Sequence, residues 1–295
     1  ASIRAKSPRG MAAWDDPAMR SVVVACCLEA VAASAGDAGM SAKAEAVGIE
    51  ALRRPVDEGA HAEEVGAIEE VEVAGDLPIY VVRAAQGVPA RRTVFLTGSC
   101  TTPLTYLRAF RHAAAEHGGI VALQGDKRCR DGTRRWSPDT LATSARIDAA
   151  LRAIGIDGAT EVTLVGYSQG AERAEWLAHR FPLEYTRFVL MAGPIVPSHA
   201  RFAEARGIVT LAGYGDVRET MADGAKRLRR AAIPATYMEL PGLQHGELSP
   251  CAGAIVAKAF DWLDANALAL APQPQPQPRS RAHAHGVRAR RAHAR

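Results

Sequence analysis

Gly166-Tyr167-Ser168-Gln169-Gly170 sets a serine between two glycines, directly after the apolar run 162–165 and at the start of a helical pattern over 169–181. A serine hydroxyl is a poor nucleophile until a base takes its proton, so the motif carries chemistry only with partners. Where strands run parallel, such partners come from the carboxyl ends of later strands. Asp216 follows the apolar run 208–211 and lies 48 residues after Ser168; His245 follows the run 236–240, 29 residues further on. The order Ser, Asp, His fits nucleophilic attack on an acyl carbon, with His245 as the base and Asp216 as the group that orients it. The turn that lifts such a serine above a sheet is sterically tight. Side chains two residues before and after would strike neighbouring backbone, and glycine at 166 and 170 removes them. Asp223 is the rival acid, but it falls inside the next helical pattern instead of at a strand end. His245 is the one histidine between Asp216 and the low-complexity C-terminal stretch.

Attack on an acyl carbon also needs two donors for the developing oxyanion. The Gln169 backbone N–H, at the start of a helix, is one. The loop Thr97-Gly98-Ser99-Cys100-Thr101, after the run 93–96, supplies the other: Ser99 N–H is the first choice and Cys100 N–H the neighbouring alternative.

These residues need a scaffold, and residues 68–266 alternate strand-like and helix-like segments. A starting hairpin spans 69–73 and 78–83; further strands are expected at 93–96, 120–123, 162–165, 188–191, 208–211 and 236–240. Helical patterns cover 104–117, 138–154, 169–181, 218–231 and 252–266. The short strand runs have lost polar alternation, as strands buried on both faces do. The expected architecture is therefore α/β: a doubly wound, mainly parallel sheet with helices on both faces. Only about 15 residues join the runs 188–191 and 208–211, enough for one short helix around 199–204 but not for a large lid. The expected pocket is shallow and open.

The 295 residues are 48% apolar and 23% charged with 5 Cys, which excludes a disulfide-dense mini-protein. No run of about 18–20 apolar residues occurs, so stable membrane insertion is not expected. The net charge is +4, and six Arg lie between Ala267 and Arg295, so the body is weakly acidic and no nucleic-acid partner is inferred from the charge. Residues 1–67 are an Ala/Glu/Arg-rich leader, and 267–295 a Pro/Gln and then Arg/His-rich tail expected to be disordered. Within the leader, Met19-Arg20, the stretch 21–33 and Ala33-Ser34-Ala35 have the form of an export signal, and Val23-Val24-Ala25-Cys26 that of an acylation box. Glu29 interrupts the stretch, which favours a leader helix and a soluble, cytoplasmic protein. His283, His285 and His293 read either as metal ligands or as part of a solvated extension, the second being preferred. With no metal-ligand spacing and no Gly-rich phosphate loop, no metal or cofactor is expected.

Across 68–266 the sequence resembles the α/β-hydrolase superfamily. Gly-Tyr-Ser-Gln-Gly looks like the elbow of small carboxylesterases, thioesterases and cutinases. Gly213-Tyr-Gly-Asp216 and Pro241-Gly-Leu-Gln-His245 look like the acid and base segments of the carboxylesterase/dienelactone-hydrolase-like branch. Thr97 departs from the common His-Gly pair at the oxyanion loop, and Glu172 from the usual small residue. The resemblance implies a serine hydrolase acting on a small carboxylic ester through an acyl-enzyme. A thioesterase, a peptidase or a non-catalytic binding protein would use the same scaffold. It also implies that Trp136, after Arg135, forms an aromatic pocket wall, with Cys100 and Tyr167 beside the substrate. Arg134 and Arg135 are either a cationic rim favouring acidic substrates or a solvated loop face. Cys100 and Cys129 follow adjacent strands, and a disulfide between them is one of two open alternatives.

Overall fold

The computed structural model of the chain describes residues 65–268, apart from 159, 241–243, 247 and 250. Most of the leader, with its export-signal reading, and the tail from 269 onward, with its three histidines, lie outside the described residues. The strands are β1 (Ile68–Val71), β2 (Ile79–Val82), β3 (Thr93–Leu96), β4 (Ile120–Leu123), β5 (Lys127–Arg128), β6 (Arg134–Arg135), β7 (Val162–Tyr167), β8 (Tyr185–Met191), β9 (Gly207–Gly213) and β10 (Ala235–Leu240). The helices are α1 (Pro103–Glu116), α2 (Thr140–Ala153), α3 (Gln169–Arg180), α4 (Arg218–Arg230) and α5 (Ala252–Asn266).

One sheet runs in the order β1-β2-β4-β3-β7-β8-β9-β10. β2 is antiparallel to both its neighbours, and every pairing from β4 to β10 is parallel. Alternate residues of each central strand feed two separate cores. Val94, Leu96, Val121, Leu123, Leu164, Phe188 and Leu190 meet α2, α3 and α4 on one face. Phe95, Ile120, Ala122, Val165, Val189 and Met191 meet α1 and α5 on the other. Both faces are thus dry, which is why these strands read as unbroken apolar runs.

The parallel strands send their carboxyl ends to one edge. The chain leaves β3 through α1 on one face and returns to β7, on the far side of β3, through α2 on the other. This reversal opens a crevice beside β3 and β7.

Two sequence expectations differ from the structure. Residues 199–204 form successive turns instead of a short helix, with Phe202 N–H bonded to His199 O and Ala205 N–H to Phe202 O. Phe202 is fully buried against Phe188, 4.9 Å between ring centroids, and that anchor holds the connection flat on the body. The connection is also fastened to α3. The Glu175 carboxylate, only 2% exposed, accepts the Ser198 N–H at 3.0 Å and the Arg201 guanidinium at 3.1 Å, while Arg201 lies 3.9 Å over the Trp176 ring. Burial pushes the Glu175 carboxyl above its ordinary range against the pull of these two donors. No lid stands between β8 and β9. The second difference is the β5–β6 hairpin, which no apolar pattern announced.

Candidate active site

β7 ends in Tyr167, and the backbone then turns sharply at Ser168, whose φ of 52° and ψ of −116° lie where a non-glycine residue is strained. Such strain costs about 1–3 kcal/mol and persists only where the surroundings hold it. Here the Ser168 N–H is fixed by Met191 O on β8 at 2.8 Å, and its carbonyl by the N–H groups of Ala171 and Glu172 in the first turn of α3. The flanking glycines are required by space. A Cβ on Gly166 would come within 2.5 Å of Gly170 O, and one on Gly170 would overlap the Leu96 carbonyl oxygen.

The serine hydroxyl donates to His245 Nε2 at 2.8 Å, and His245 Nδ1–H donates to Asp216 Oδ1 at 2.8 Å. This assigns the imidazole tautomer from its hydrogen bonds. Asp216 is well buried and Oδ1 also accepts the Val217 N–H at 2.7 Å, whereas His245 is half exposed. The base loop is held from below, where Gly246 N–H donates to Tyr167 Oη at 2.7 Å. Asp223 stands apart on α4, paired with Lys226 at 3.1 Å and open to solvent.

Strand order, the antiparallel β2 and a strained serine between β7 and α3 together decide the architecture. This is the α/β-hydrolase fold.

In this hydrolase fold the loop after β3 runs beside the serine. A Cβ on Gly98 would sit 3.5 Å from Ser168 Cβ and 3.1 Å from Tyr106 Oη, so glycine allows the close approach. The backbone N–H groups of Ser99, Cys100 and Gln169 have no protein acceptor among the described residues. The loop is braced by Trp136 Nε1–H, which donates to Thr97 O at 2.8 Å. Gln169 closes the brace: its side chain accepts the Trp136 N–H at 2.9 Å and donates to Trp136 O at 3.2 Å. That clamp was not foreseen, and no local pattern signals a pairing across 33 residues.

Two of the residues expected to contact substrate are buried. Trp136 is 3% exposed and Tyr167 1% exposed. An indole has a large apolar body and one donor, and Trp136 satisfies both between Arg146, 5.5 Å from its ring, and the Thr97 carbonyl. Tyr167 stacks on Tyr106 at 4.5 Å and spends its hydroxyl on Gly246. Cys100 remains at the surface and forms a disulfide with Cys129. On the same sheet edge, Ile195 after β8 and Tyr214 after β9 are exposed apolar side chains.

The Cys100–Cys129 bond closes a segment of 29 residues. Chain entropy gives such a closure about 3–4 kcal/mol. Cys100→Ser/Cys129→Ser should therefore lower the urea midpoint by the equivalent amount, and reduction of the wild type should do the same. An unchanged midpoint would show that the bond contributes nothing to stability.

Among the described residues, no three His, Cys, Asp or Glu side chains group as metal ligands, and no helix is long and apolar enough to cross a membrane. No family model and no curated protein matches the sequence. Solved structures are similar in shape. A fluorophosphonate-binding serine hydrolase of Staphylococcus aureus, captured with substrate, is 11% identical over 67% of this chain and 97% of its own, with a TM-score of 0.49. A carboxylesterase from Mesorhizobium loti is 21% identical over 65% of this chain and 99% of its own, TM-score 0.49. A dienelactone hydrolase from Anabaena variabilis is 16% identical over 68% and 98%, TM-score 0.46.

Proposed function

We propose that the protein is a serine hydrolase that cleaves small carboxylic esters through an acyl-enzyme. The observation that carries this reading is the continuous hydrogen-bonded line from Ser168 Oγ through His245 to Asp216, each link 2.8 Å, at a strained turn on the sheet's carboxyl edge. In the proposed reaction Ser168 Oγ attacks the ester carbon as His245 Nε2 takes its proton. The buried Asp216 carboxylate keeps Nδ1 protonated and offsets the charge on the imidazolium. The oxyanion is met by the N–H groups of Gln169 and Ser99, with Cys100 N–H the neighbouring alternative. Collapse expels the alcohol, which leaves with the proton from Nε2. Water, deprotonated by the same nitrogen, then releases the acid. The chemistry calls for no metal or cofactor.

The open edge supports short acyl chains. Of p-nitrophenyl acetate, butyrate, octanoate and palmitate, the first two should turn over fastest and palmitate slowest. An organophosphonate should label Ser168 stoichiometrically and stop that turnover. Silence on all four esters and no labelling would reject the reading in favour of a binding protein on a hydrolase scaffold. The Cys100–Cys129 bond supports an oxidising compartment over the cytoplasmic one expected from sequence.

A further inference from the structure

The β5–β6 hairpin carries Lys127, Arg128, Arg130, Arg134 and Arg135 within nine residues. Its carboxylates are already engaged. Asp131 is bonded to both the N–H and the hydroxyl of Thr133, which hold its carboxyl below the ordinary range. Asp126 accepts the Ser137 N–H at 2.7 Å and pairs with Lys127 at 3.4 Å. Arg134 is half-buried and reaches the Asp126 carbonyl. Arg128, Arg130 and Arg135 are exposed, and none has a carboxylate partner among the described residues. Elsewhere the body carries many arginines tied to acids: Arg83 to Glu69, Arg91 to Asp264, Arg146 to Asp76, Arg201 to Glu175 and Arg206 to Glu161. Among the described residues, three exposed cations without a carboxylate partner also end α4, at Arg227, Arg229 and Arg230, so what sets Arg128, Arg130 and Arg135 apart is where their hairpin is attached.

Their attachment points to the active site. At its tip the hairpin is bonded covalently to the oxyanion loop through Cys129–Cys100. Along its length Thr101 N–H donates to Arg134 O at 3.3 Å. At its foot Trp136, next to Arg135, is clamped by the side chain of Gln169, the residue after the nucleophile. Gly125 permits this seat, since a Cβ there would collide with the Arg135 carbonyl group. The hairpin is thus fastened to both segments that would hold the oxyanion.

We infer that this hairpin selects esters bearing a carboxylate remote from the bond that is cleaved, with Arg128, Arg130 and Arg135 as the recognising cations. The inference rests on the hydrolase reading above and names its substrate class. Fixed positive charge beside a reacting centre raises the local concentration of an anionic substrate, commonly by tenfold or more at low ionic strength, and added salt screens it.

The test compares kcat/KM for p-nitrophenyl hydrogen adipate with that for p-nitrophenyl hexanoate, equal in acyl length, each corrected for spontaneous hydrolysis. The wild type should prefer the adipate monoester by about tenfold in about 20 mM salt, and the ratio should fall towards one in about 500 mM salt. Arg128→Gln/Arg130→Gln/Arg135→Gln should bring the low-salt ratio to near one, and Lys at the same three positions should restore most of it. A structural role for the hairpin would lower both substrates together and leave the ratio intact. Hexanoate turnover with no preference for adipate, a salt-independent ratio, or a ratio that survives the triple Gln variant would overturn the inference alone. Silence on both esters would overturn the hydrolase reading and the inference with it.

Discussion

Ser168→Ala and His245→Ala should each lower kcat for p-nitrophenyl butyrate by about ten-thousand-fold or more, and the double variant should be no worse than either single one. The reason is geometric. Among the described residues the base within reach of Ser168 Oγ is His245 Nε2 at 2.8 Å, so on the proposed chemistry loss of either partner removes the same proton transfer. Asp216→Asn keeps the shape of the carboxylate but offers His245 Nδ1 an amide, which favours the wrong tautomer; a loss of about a thousand- to ten-thousand-fold is expected. Alanine at 168 keeps a left-handed φ, so the variant should fold with a urea midpoint near that of the wild type. Multiplying losses in the double variant, or a deficit below tenfold in either single one, would mean that these residues do not act as one unit.

Gly170→Ala should be the most damaging single methyl in the described chain. The added carbon would overlap the Leu96 carbonyl oxygen and lie 2.6 Å from the Thr97 carbonyl oxygen. Both are backbone atoms of β3 and its following loop, so no side chain can swing aside. Relief requires β3 and α3 to separate, at an expected cost of about 3–5 kcal/mol. Gly132→Ala is the control. That position has φ +86° but open space around it, and should cost only about 1–2 kcal/mol. Similar urea midpoints for the two variants would contradict the steric account of the Gly-x-Ser-x-Gly spacing.

The large strands were legible because each lies between two dry faces. Runs such as Thr93–Leu96 and Ile120–Leu123 have the same limits in sequence and structure. Ser168, Asp216 and His245 were legible as a set because a parallel sheet delivers its carboxyl ends to one edge, whatever the loop lengths. The burial of Trp136 and Tyr167 was not legible, for a related reason. Aromatic residues beside a reactive segment read as pocket wall, yet here each has a single polar atom satisfied from within, by Thr97 O and Gly246 N–H. The β5–β6 hairpin is built from Lys-Arg and Arg-Arg, which carry no strand signature. A disulfide, a bridge to Thr101 and a turn at Asp131–Thr133 hold it in place. The turns at 199–204 owe their form to Phe202 burying itself, a tertiary event that a local helical pattern does not encode.

The short connection between β8 and β9, strapped to α3 by Glu175 and Arg201, also bears on the fate of an acyl group once it is attached to Ser168. Closing an active site over a reactive intermediate keeps water away and protects it from hydrolysis. Here the β8–β9 connection is tied to α3, and the His245 imidazole is half exposed. On the proposed chemistry the intermediate therefore meets bulk solvent directly. Competition between acceptors would then follow their concentrations, and on that reading water is the expected acceptor.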